Sequence, residues 1–579
     1  MIISQIRLAG FRNFKEATIN VTNKTLIIGS NDIGKTNLLY ALRILLDRGL
    51  SDLDIEPKDS DFFCHEDTSQ LEIIVKFEEV TDDCVVSKLP GRISDDGILY
   101  LAYRAWRKSH EYKFYAGHSI DTLEEIQERF YRRVLHLKYI SSNRDLNSYV
   151  RREKRNLLKE AKDKRTEKDI EDDDSNLAII EKDLLKTNKD VSSLKYIKSA
   201  TEVINSELKE LSIHHSDHNI IFDVGVSDLN SFIENLHLSS QVGNSNLAVG
   251  GDGRNNQIFL ALWAARNEIQ DVNPLEVVFY CIEEPEAHLH PHQQRKLAQY
   301  LIEKLRGQVF ITSHSPQIAA EFSPNSIVRL FQDGKKGAKA ASKGCSNIIE
   351  KSFLDFGYRL NVVAAEAFFS SAVFLVEGIS EVIFFKALAK QLNIDLDKLN
   401  LSILMADGVG FETFTKILTA LNIEWVVRTD NDIFKVPKKP EFRMAGVQRG
   451  LAIYEAHFDI SEDEEKIIQA NRSLLTGFST GTPPSENQVA AVRIIDILEN
   501  GYIYIAGKDL ETDLMDQGLE ASLIDFFETD SKADALAIMQ KKKATHMFNF
   551  IQKKHESLKA LKDSEIAKQL RACCDLITN

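Results

Sequence analysis

At 579 residues the chain is too long for one hydrophobic core, and two or three domains are expected. Its composition, 43% apolar and 27% charged, is that of a globular protein, and no apolar run reaches membrane-spanning length. A formal net charge of −15 argues against a protein coated in nucleic acid, while leaving room for a local binding groove.

The six cysteines (Cys64, Cys84, Cys281, Cys345, Cys573, Cys574) form neither a CxxC pair nor a zinc spacing. With an N-terminus that lacks a signal-peptide pattern, this usage points to the cytoplasm. Three basic clusters would suit phosphates: "VRREKR" at 150–155, "KVPKKPEFR" at 435–443 and "QKKKATH" at 540–546. Taken singly, each is more simply a solvated face.

The opening, "MIISQIRLAGFRNFKEATINVTNKTLIIGS", alternates apolar and polar residues and predicts two or three short strands, the last over 25–28. A glycine then leads into "KTNLLYALRILLDRG", whose apolar spacing is helical. Strands are expected again at "LEIIVKFEEV" and "ILYLAYRAW". From about 146 to 211 the chain turns highly charged and helical wherever it is patterned, a helical insertion around a flexible acidic turn "EDDDS". Strand and helix patterns resume through "HNIIFDVGV", "LEVVFYCIEEPEAHLHPHQ" and "GQVFITSHSPQIAAEF". The loop "DGKKGAKAASKG" at 333–344 reads as a domain boundary. Beyond it come a buried strand "AVFLVEG", a helix "SEVIFFKALAKQL", further alternation and a charged helical C-terminus. Strand alternating with helix makes both halves α/β with parallel sheets.

"GSNDIGKT" at 29–36 fits G-x-x-x-x-G-K-[ST] between a predicted strand and a predicted helix, the context that marks a phosphate loop. Its backbone from Asn31 to Gly34 would close around phosphates, and the helix N-terminus that carries Asn37 adds positive potential. Lys35 would reach the β- and γ-phosphates, and the Thr36 hydroxyl would ligate Mg2+. Downstream, "VVFYCIEEPE" is an apolar strand ending in two carboxylates. Glu283 suits the Mg2+ shell, and Glu284 would polarise an attacking water. "VFITSHS" places His314 at another strand end, where it would sense a γ-phosphate. The histidines of "EAHLHPHQ" (His288, His290, His292) are read as structural, since no further zinc ligand is placed nearby.

A second constellation follows. "FLVEGISE" sets Glu377 at a strand end and Glu381 one helical turn on, hence on the same side. "VVRTDND" ends a strand in Asp430 and Asp432, two carboxylates expected to aim into one space. "GYIYIAGKDLETDL" offers Asp509 and Glu511 at alternate positions, and "QKKKATHMFNFIQKK" brings Lys541, Lys542 and Lys543. Carboxylates converging from several strand ends would hold one or two Mg2+ or Mn2+ ions for phosphodiester chemistry. A nearby lysine would offset charge growing on the scissile phosphate.

The first set resembles the ATP-binding-cassette fold of the SMC/RecF-like ATPases, and "LAGFRNF" is similar to that group's opening motif, which places Arg12 near the nucleotide. By that resemblance Gly250, Gly251 and Gly253 stand in the signature loop that reaches a second subunit's nucleotide. The signature is loose, no clear glutamine-loop residue is found, and Glu283 replaces the usual aspartate, which favours ATP binding over rapid hydrolysis. Glu377-Gly378 followed by D-x-D resembles the Toprim domain.

An ATPase cassette joined to a C-terminal Toprim domain resembles the overcoming-lysogenisation-defect (OLD) nucleases over essentially the whole chain. Length, insertion and "VEGISE" look most similar to the nuclease subunits of Gabija anti-phage systems. The resemblance implies a division into 1–145 (ATPase, first part), 146–240 (helical dimerisation insertion), 241–345 (ATPase, second part) and 346–579 (Toprim nuclease). It implies Glu377, Glu381, Asp430, Asp432, Asp509 and Glu511 as the metal shell. One lysine of the triplet would assist, with Lys541 favoured and Lys542 next. It also implies ATP with Mg2+ in the cassette, double-stranded DNA as substrate and no membrane. A dimer assembling into a tetramer, a helicase-like partner subunit and inhibition of cleavage by nucleotide complete the expectation. Two other classes stay open: a DNA-binding ATPase with a non-catalytic Toprim platform, and a topoisomerase or primase. No tyrosine nucleophile is marked out for a topoisomerase, and the cysteines exclude a primase zinc module.

Overall fold

The structure, a computed structural model, describes residues 1–127, 129–141, 146–211, 233, 236, 239–242, 245–248, 258, 275–305, 307–334, 337–346, 362–406 and 410–578. The chain forms two compact units: Met1–Ser142 with Pro274–Glu286 and His290–Asn579, and Asn143–Asn273 with Ala287–Leu289.

The first unit contains three main sheets. One is antiparallel, ordered Phe14–Asn20, Ile2–Phe11, Gln70–Glu78, Leu99–Trp106, Tyr112–Gly117 and Glu124–Ile126. Period-two alternation puts Ile6 and Leu8 into its core while Arg7 faces outward to Glu16. The second is ordered Ala338–Ala340, Ile327–Gln332, Lys24–Ile28, Val309–Thr312, Val277–Glu283 and Leu135–Ile140, parallel except for the first strand. The loop expected as a domain boundary thus contributes an edge strand. Helix Lys35–Leu46 buries Leu38, Leu39, Leu42 and Leu45 in the core of this region. The strand Lys24–Ile28 sits mid-sheet, so the loop that follows it opens at the carboxyl edge.

The third sheet is all parallel, ordered Leu401–Met405, Ala372–Val376, Glu424–Thr429 and Ile503–Ile505. Ala372–Val376 is buried along its whole length, as a central parallel strand covered on both faces must be. Its chain neighbours in the sheet lie on opposite sides, so the order reverses between Ala372–Val376 and Glu424–Thr429. A crevice opens at the carboxyl ends of strands where such a reversal occurs. Those two strand ends carry Glu377 and Asp430.

A buried arginine ties the last two sheets together. Arg329, paired in register with Ile28 of the phosphate-loop strand, donates to the carbonyls of Leu421 (3.0 Å), Asn422 (2.7 Å) and Ser370 (2.9 Å). Ser370 stands just before the strand that leads to Glu377.

The second unit holds the helices Leu146–Asp163, Glu167–Ser192 and Lys195–Leu211 and a hairpin of Ser239–Val242 with Ser245–Ala248. The expected flexible turn at 171–175 is instead part of the helix Glu167–Ser192. Thr166 and Asp169 form a reciprocal cap, and Arg165 pairs with Asp173 at 2.7 Å. Glu167 and Asp169 in the first turn are favoured by the helix dipole, and the cap and the Arg165 pair hold the helix through the acidic run. Among the described residues, no helix is long and apolar enough to cross a membrane.

Candidate nucleotide site and carboxylate site

The loop after Lys24–Ile28 closes on glycine. Gly34 adopts φ +111, and a Cβ there would come within 2.2 Å of the Asn13 side chain, so only glycine fits. The Lys35 ammonium donates to the Gly29 (3.0 Å) and Ser30 (2.8 Å) carbonyls. Burial pushes its pKa down to about 8, against the opposing pull of Glu284, Asp32, Glu286 and Glu283. The Thr36 hydroxyl donates to Glu283, whose other oxygen accepts from the Tyr139 hydroxyl at 2.5 Å. The residue types expected to share a Mg2+ therefore touch already.

Glu284 takes φ 43, a left-handed conformation rarely used outside glycine, and its carboxylate lies 3.3 Å from His314 Nε2. Burial and the nearby Lys35 hold the His314 imidazole below its ordinary pKa. Arg12 reaches the same neighbourhood: its guanidinium pairs with Asp61 at 2.9 Å, donates to Asn37 Oδ1 at 2.8 Å and stacks 4.2 Å over the Tyr40 ring. Asn31 is exposed on the loop. Gly250, Gly251 and Gly253 lie outside the described residues. His290 caps the helix Pro291–Glu303, and His292 bonds Arg295 at 2.7 Å, both structural tasks.

The third sheet gathers carboxylates from three chain segments. Glu377 follows Ala372–Val376, and its Oε2 accepts from Thr429 Oγ1 (3.0 Å), the Asp430 amide (2.9 Å) and Arg449 (3.1 Å). Glu381, in the first turn of helix Ile379–Gln391, accepts the Glu377 and Gly378 amides at 2.5 and 3.1 Å. Its other oxygen meets Arg428 at 3.2 Å. Arg428 is wholly buried and also donates to Asp513 (2.7 Å) and Gln569 (3.0 Å).

Asp430 and Asp432 pair with different basic side chains. Asp430 faces Lys543 at 3.7 Å, whereas Asp432 pairs with Arg449 at 3.2 Å. Asp509 caps the short helix Leu510–Leu514 through the Thr512 amide (2.9 Å) and also accepts from Gln540 (2.7 Å). Glu511 sits in that helix's first turn.

Lys543 supplies the ammonium, 2.9 Å from Glu511, 3.5 Å from Asp509 and 3.7 Å from Asp430. Although burial pushes its pKa down, these carboxylates outweigh it and hold the ammonium charged. Lys541 ends the helix Lys532–Lys541, and both Lys541 and Lys542 are exposed. Of the three adjacent lysines, two of which the sequence reading favoured, the helix break at Lys542 begins a new helix at Lys543 and turns that residue toward the carboxylates.

Seven carboxylates (the six expected plus Asp513) thus meet three basic side chains, Arg428, Arg449 and Lys543. Burial, then Glu381 and Glu377, push the Asp430 pKa up to about 8, and burial raises Glu381 and Glu511 as well. Asp430 Oδ1 and Glu511 Oε1 are buried and accept no hydrogen bond from any described residue. Among the described residues, no three acidic, histidine or cysteine side chains form a ready-made ligand cluster. Excess negative charge and orphaned hard oxygens nonetheless fit Mg2+ or Mn2+, cations that take oxygen ligands.

Comparison with known proteins fits this arrangement. Residues 24–320, more than half of the chain, match the family model described as "AAA domain, putative AbiEii toxin, Type IV TA system". Residues 368–432 match "Overcoming lysogenization defect protein-like, TOPRIM domain". The chain belongs to that AAA-domain family and carries an OLD-like Toprim domain. Endonuclease GajA of Bacillus cereus is 25% identical, with 95% of each chain covered. OLD nuclease of Thermus scotoductus is 26% identical over 38% of this chain and 44% of its own. Among solved structures, the SMC head domain from Thermotoga maritima covers 59% of this chain and 98% of its own at 12% identity, with a TM-score of 0.31. The expected resemblance and the α/β fold class, an ATPase domain followed by a Toprim domain, are borne out.

In the ATPase domain the sequence reading missed Asn13, Tyr139 and Glu286. Asn13 is bonded to Asn37 at 2.8 Å, and Glu286 accepts from Ser313 and the His314 amide at 2.8 and 2.7 Å. In the Toprim domain it missed Arg449, Asp513 and Gln540, and gave Arg428 no role. Arg428 alone carried a signal, since an arginine inside an apolar strand needs buried anionic partners.

Proposed function

We propose that the chain is a metal-dependent DNA endonuclease whose Toprim domain hydrolyses phosphodiesters under control of nucleotide bound to its ATPase domain. The observation that carries this reading is the imbalance at the carboxylate site: seven acidic groups, three basic ones and buried oxygens without hydrogen-bond partners. Glu377, Glu381, Asp430, Asp432, Asp509 and Glu511 would hold one or two Mg2+ or Mn2+ ions. Such ions, when bound, activate water and neutralise charge on the phosphodiester.

The chain's own groups do the rest. Lys543 places an ammonium where a scissile phosphate would meet the carboxylates, and there it would stabilise developing negative charge. Arg428 keeps Glu381 oriented from behind, and Arg449 spans Glu377 and Asp432. Lys35, Thr36 and Glu283 would bind ATP with Mg2+, and regulation by ATP requires binding alone. Arg329 offers a physical link between the domains, because it joins the strand beside the phosphate-loop strand to the Toprim segment.

The reading extends to anti-phage defence in the cytoplasm, in which bound ATP inhibits cleavage and nucleotide depletion releases it. It includes a homodimer through the helical insertion, the pairing of such dimers into a tetramer, and a helicase-like Gabija partner subunit. Support for this wider part is the likeness to Endonuclease GajA along nearly the whole chain. The test is to incubate the purified protein with supercoiled plasmid and Mg2+ or Mn2+, with and without ATP. Nicking or linearisation that disappears in Glu377→Ala and weakens with ATP is the expected result. Unchanged DNA alongside DNA-stimulated ATP hydrolysis would replace this reading with a DNA-binding ATPase.

A further inference from the structure

Directly after Asp432 the chain leaves the carboxylate site as a β-hairpin. The strand Ile433–Lys435 runs out, a turn holding Lys438 and Lys439 reverses it, and Phe442–Met444 returns antiparallel to it. The hairpin is rooted at the site. The Asp432 carbonyl accepts from the Ala445 amide at 2.7 Å, which closes its base. A Cβ on Gly446 would come within 2.2 Å of the Asp430 carbonyl, so the returning helix presses against the aspartate segment. One turn further along that helix, Arg449 holds both Glu377 and Asp432.

The two faces of the hairpin differ. Pairing in register puts Phe434 opposite Arg443, with Lys435 opposite Phe442 and Ile433 opposite Met444. Phe442 and Met444 point to the packed face, where Phe442 stacks on Phe478 of the third strand at 6.4 Å. Phe434 therefore stands on the other face and is 49% exposed, with Arg443 beside it. The Arg443 Nε is buried and has no hydrogen-bond partner among the described residues. Arg443 is half-buried and donates through Nη1 to Gln448 at 3.2 Å; an exposed aromatic next to this guanidinium, rimmed by exposed lysines, is an uncommon surface on a chain of net charge −15.

We propose that this face is a DNA wedge. Phe434 inserts at a base step beside the cleaved phosphate, Arg443 binds a flanking phosphate, and Lys438 and Lys439 follow the backbone outward. The inference rests on the nuclease reading above and deepens it. Charge complementarity selects the partner: arginine and lysine suit phosphates, and an aromatic face suits a base. The spacing agrees, since two extended residues separate Phe434 from Asp432 by about 7 Å, roughly two base steps of ~3.4 Å. Period-two alternation also sends the Asp432 and Phe434 side chains to the same side of the chain.

The test begins by mapping the wild-type cut site. A duplex of that sequence is then made with 2-aminopurine within two base steps of the cleaved phosphate, and it is studied in Ca2+. Binding of wild-type protein should raise the 2-aminopurine fluorescence several-fold through unstacking. Phe434→Ala should abolish the rise and weaken binding about 10-fold, while Phe434→Trp retains both. Arg443→Gln should lower the salt dependence of binding by about one ion. Unchanged ATP binding by each variant verifies folding.

A Phe434→Ala protein with wild-type fluorescence change and affinity overturns the wedge. So does one whose oligomeric state changes while its DNA contacts do not, which would make the face a protein interface. Wild-type protein that neither cleaves nor binds DNA defeats the nuclease reading itself. Normal wild-type cleavage with an indifferent Phe434→Ala defeats only the wedge.

Discussion

At the end of Lys24–Ile28, one run of eight residues builds a phosphate loop, and the lysine within it is satisfied by carbonyls of the same loop. At the end of Ala372–Val376, the acidic groups come from three segments between 377 and 513, and the compensating charges come from Arg428, Arg449 and Lys543. The first site is organised by backbone N–H groups and a helix N-terminus, dipoles carried wherever that local conformation forms. The second is organised by full charges whose partners arrive only when distant helices pack. The first should therefore tolerate loss of a side chain structurally, while the second should not.

The largest expected effect is at Glu377, which gathers Thr429, the Asp430 amide and Arg449. Glu377→Ala should cut plasmid cleavage by ~10³-fold or more while ATP binding measured by calorimetry stays normal. If cleavage survives, the carboxylate site is not the reaction centre and the comparison collapses.

Next comes Arg428, the wholly buried guanidinium between Glu381 and Asp513. Arg428→Met leaves two buried carboxylates uncompensated and should cost about 3–5 kcal/mol, seen as a lower Tm. Adding Glu381→Gln and Asp513→Asn should recover part of that loss. Lys35→Ala, its counterpart in the phosphate loop, should change stability by only about 1 kcal/mol, since the cost of burying its ammonium offsets its two hydrogen bonds to carbonyls.

Lys543→Ala should lower the cleavage rate by ~10²-fold, the usual cost of removing one group that stabilises developing charge. Lys35→Ala should weaken ATP binding by about 10-fold or more and make cleavage equal with and without ATP. The smallest effects should come from Lys541→Ala and Lys542→Ala, each within about 3-fold of the parent, because both side chains are exposed. A large loss at Lys541 with none at Lys543 would reverse the assignment made from the structure.

Much of this was legible in the sequence. Strand, glycine and helix around "GSNDIGKT" lie within one continuous stretch, and the motif's meaning depends only on its immediate neighbours. The apolar run "AVFLV" and the acidic ends of its sheet were equally plain, because a central parallel strand must be apolar throughout. The acidic run at 171–175 was misread as a flexible turn, because composition does not report the Thr166 cap that starts the helix. Arg449 was invisible, since an arginine in an amphipathic helix looks like any solvated residue until the helix is placed.

By itself, then, the sequence determined the alternation that makes both parallel sheets, the phosphate loop, and the six carboxylates at the edge of the third sheet. Tertiary structure decided which lysine faces the carboxylates, which basic side chain pairs with Asp430 and which with Asp432, and that an exposed Phe434 stands two residues from Asp432. Periodicity and contiguous motifs are properties of local backbone, readable wherever hydrogen bonding and burial act over a few residues. Ion-pair partners depend on how segments far apart in the chain come together, and three adjacent lysines differ only in where a helix breaks.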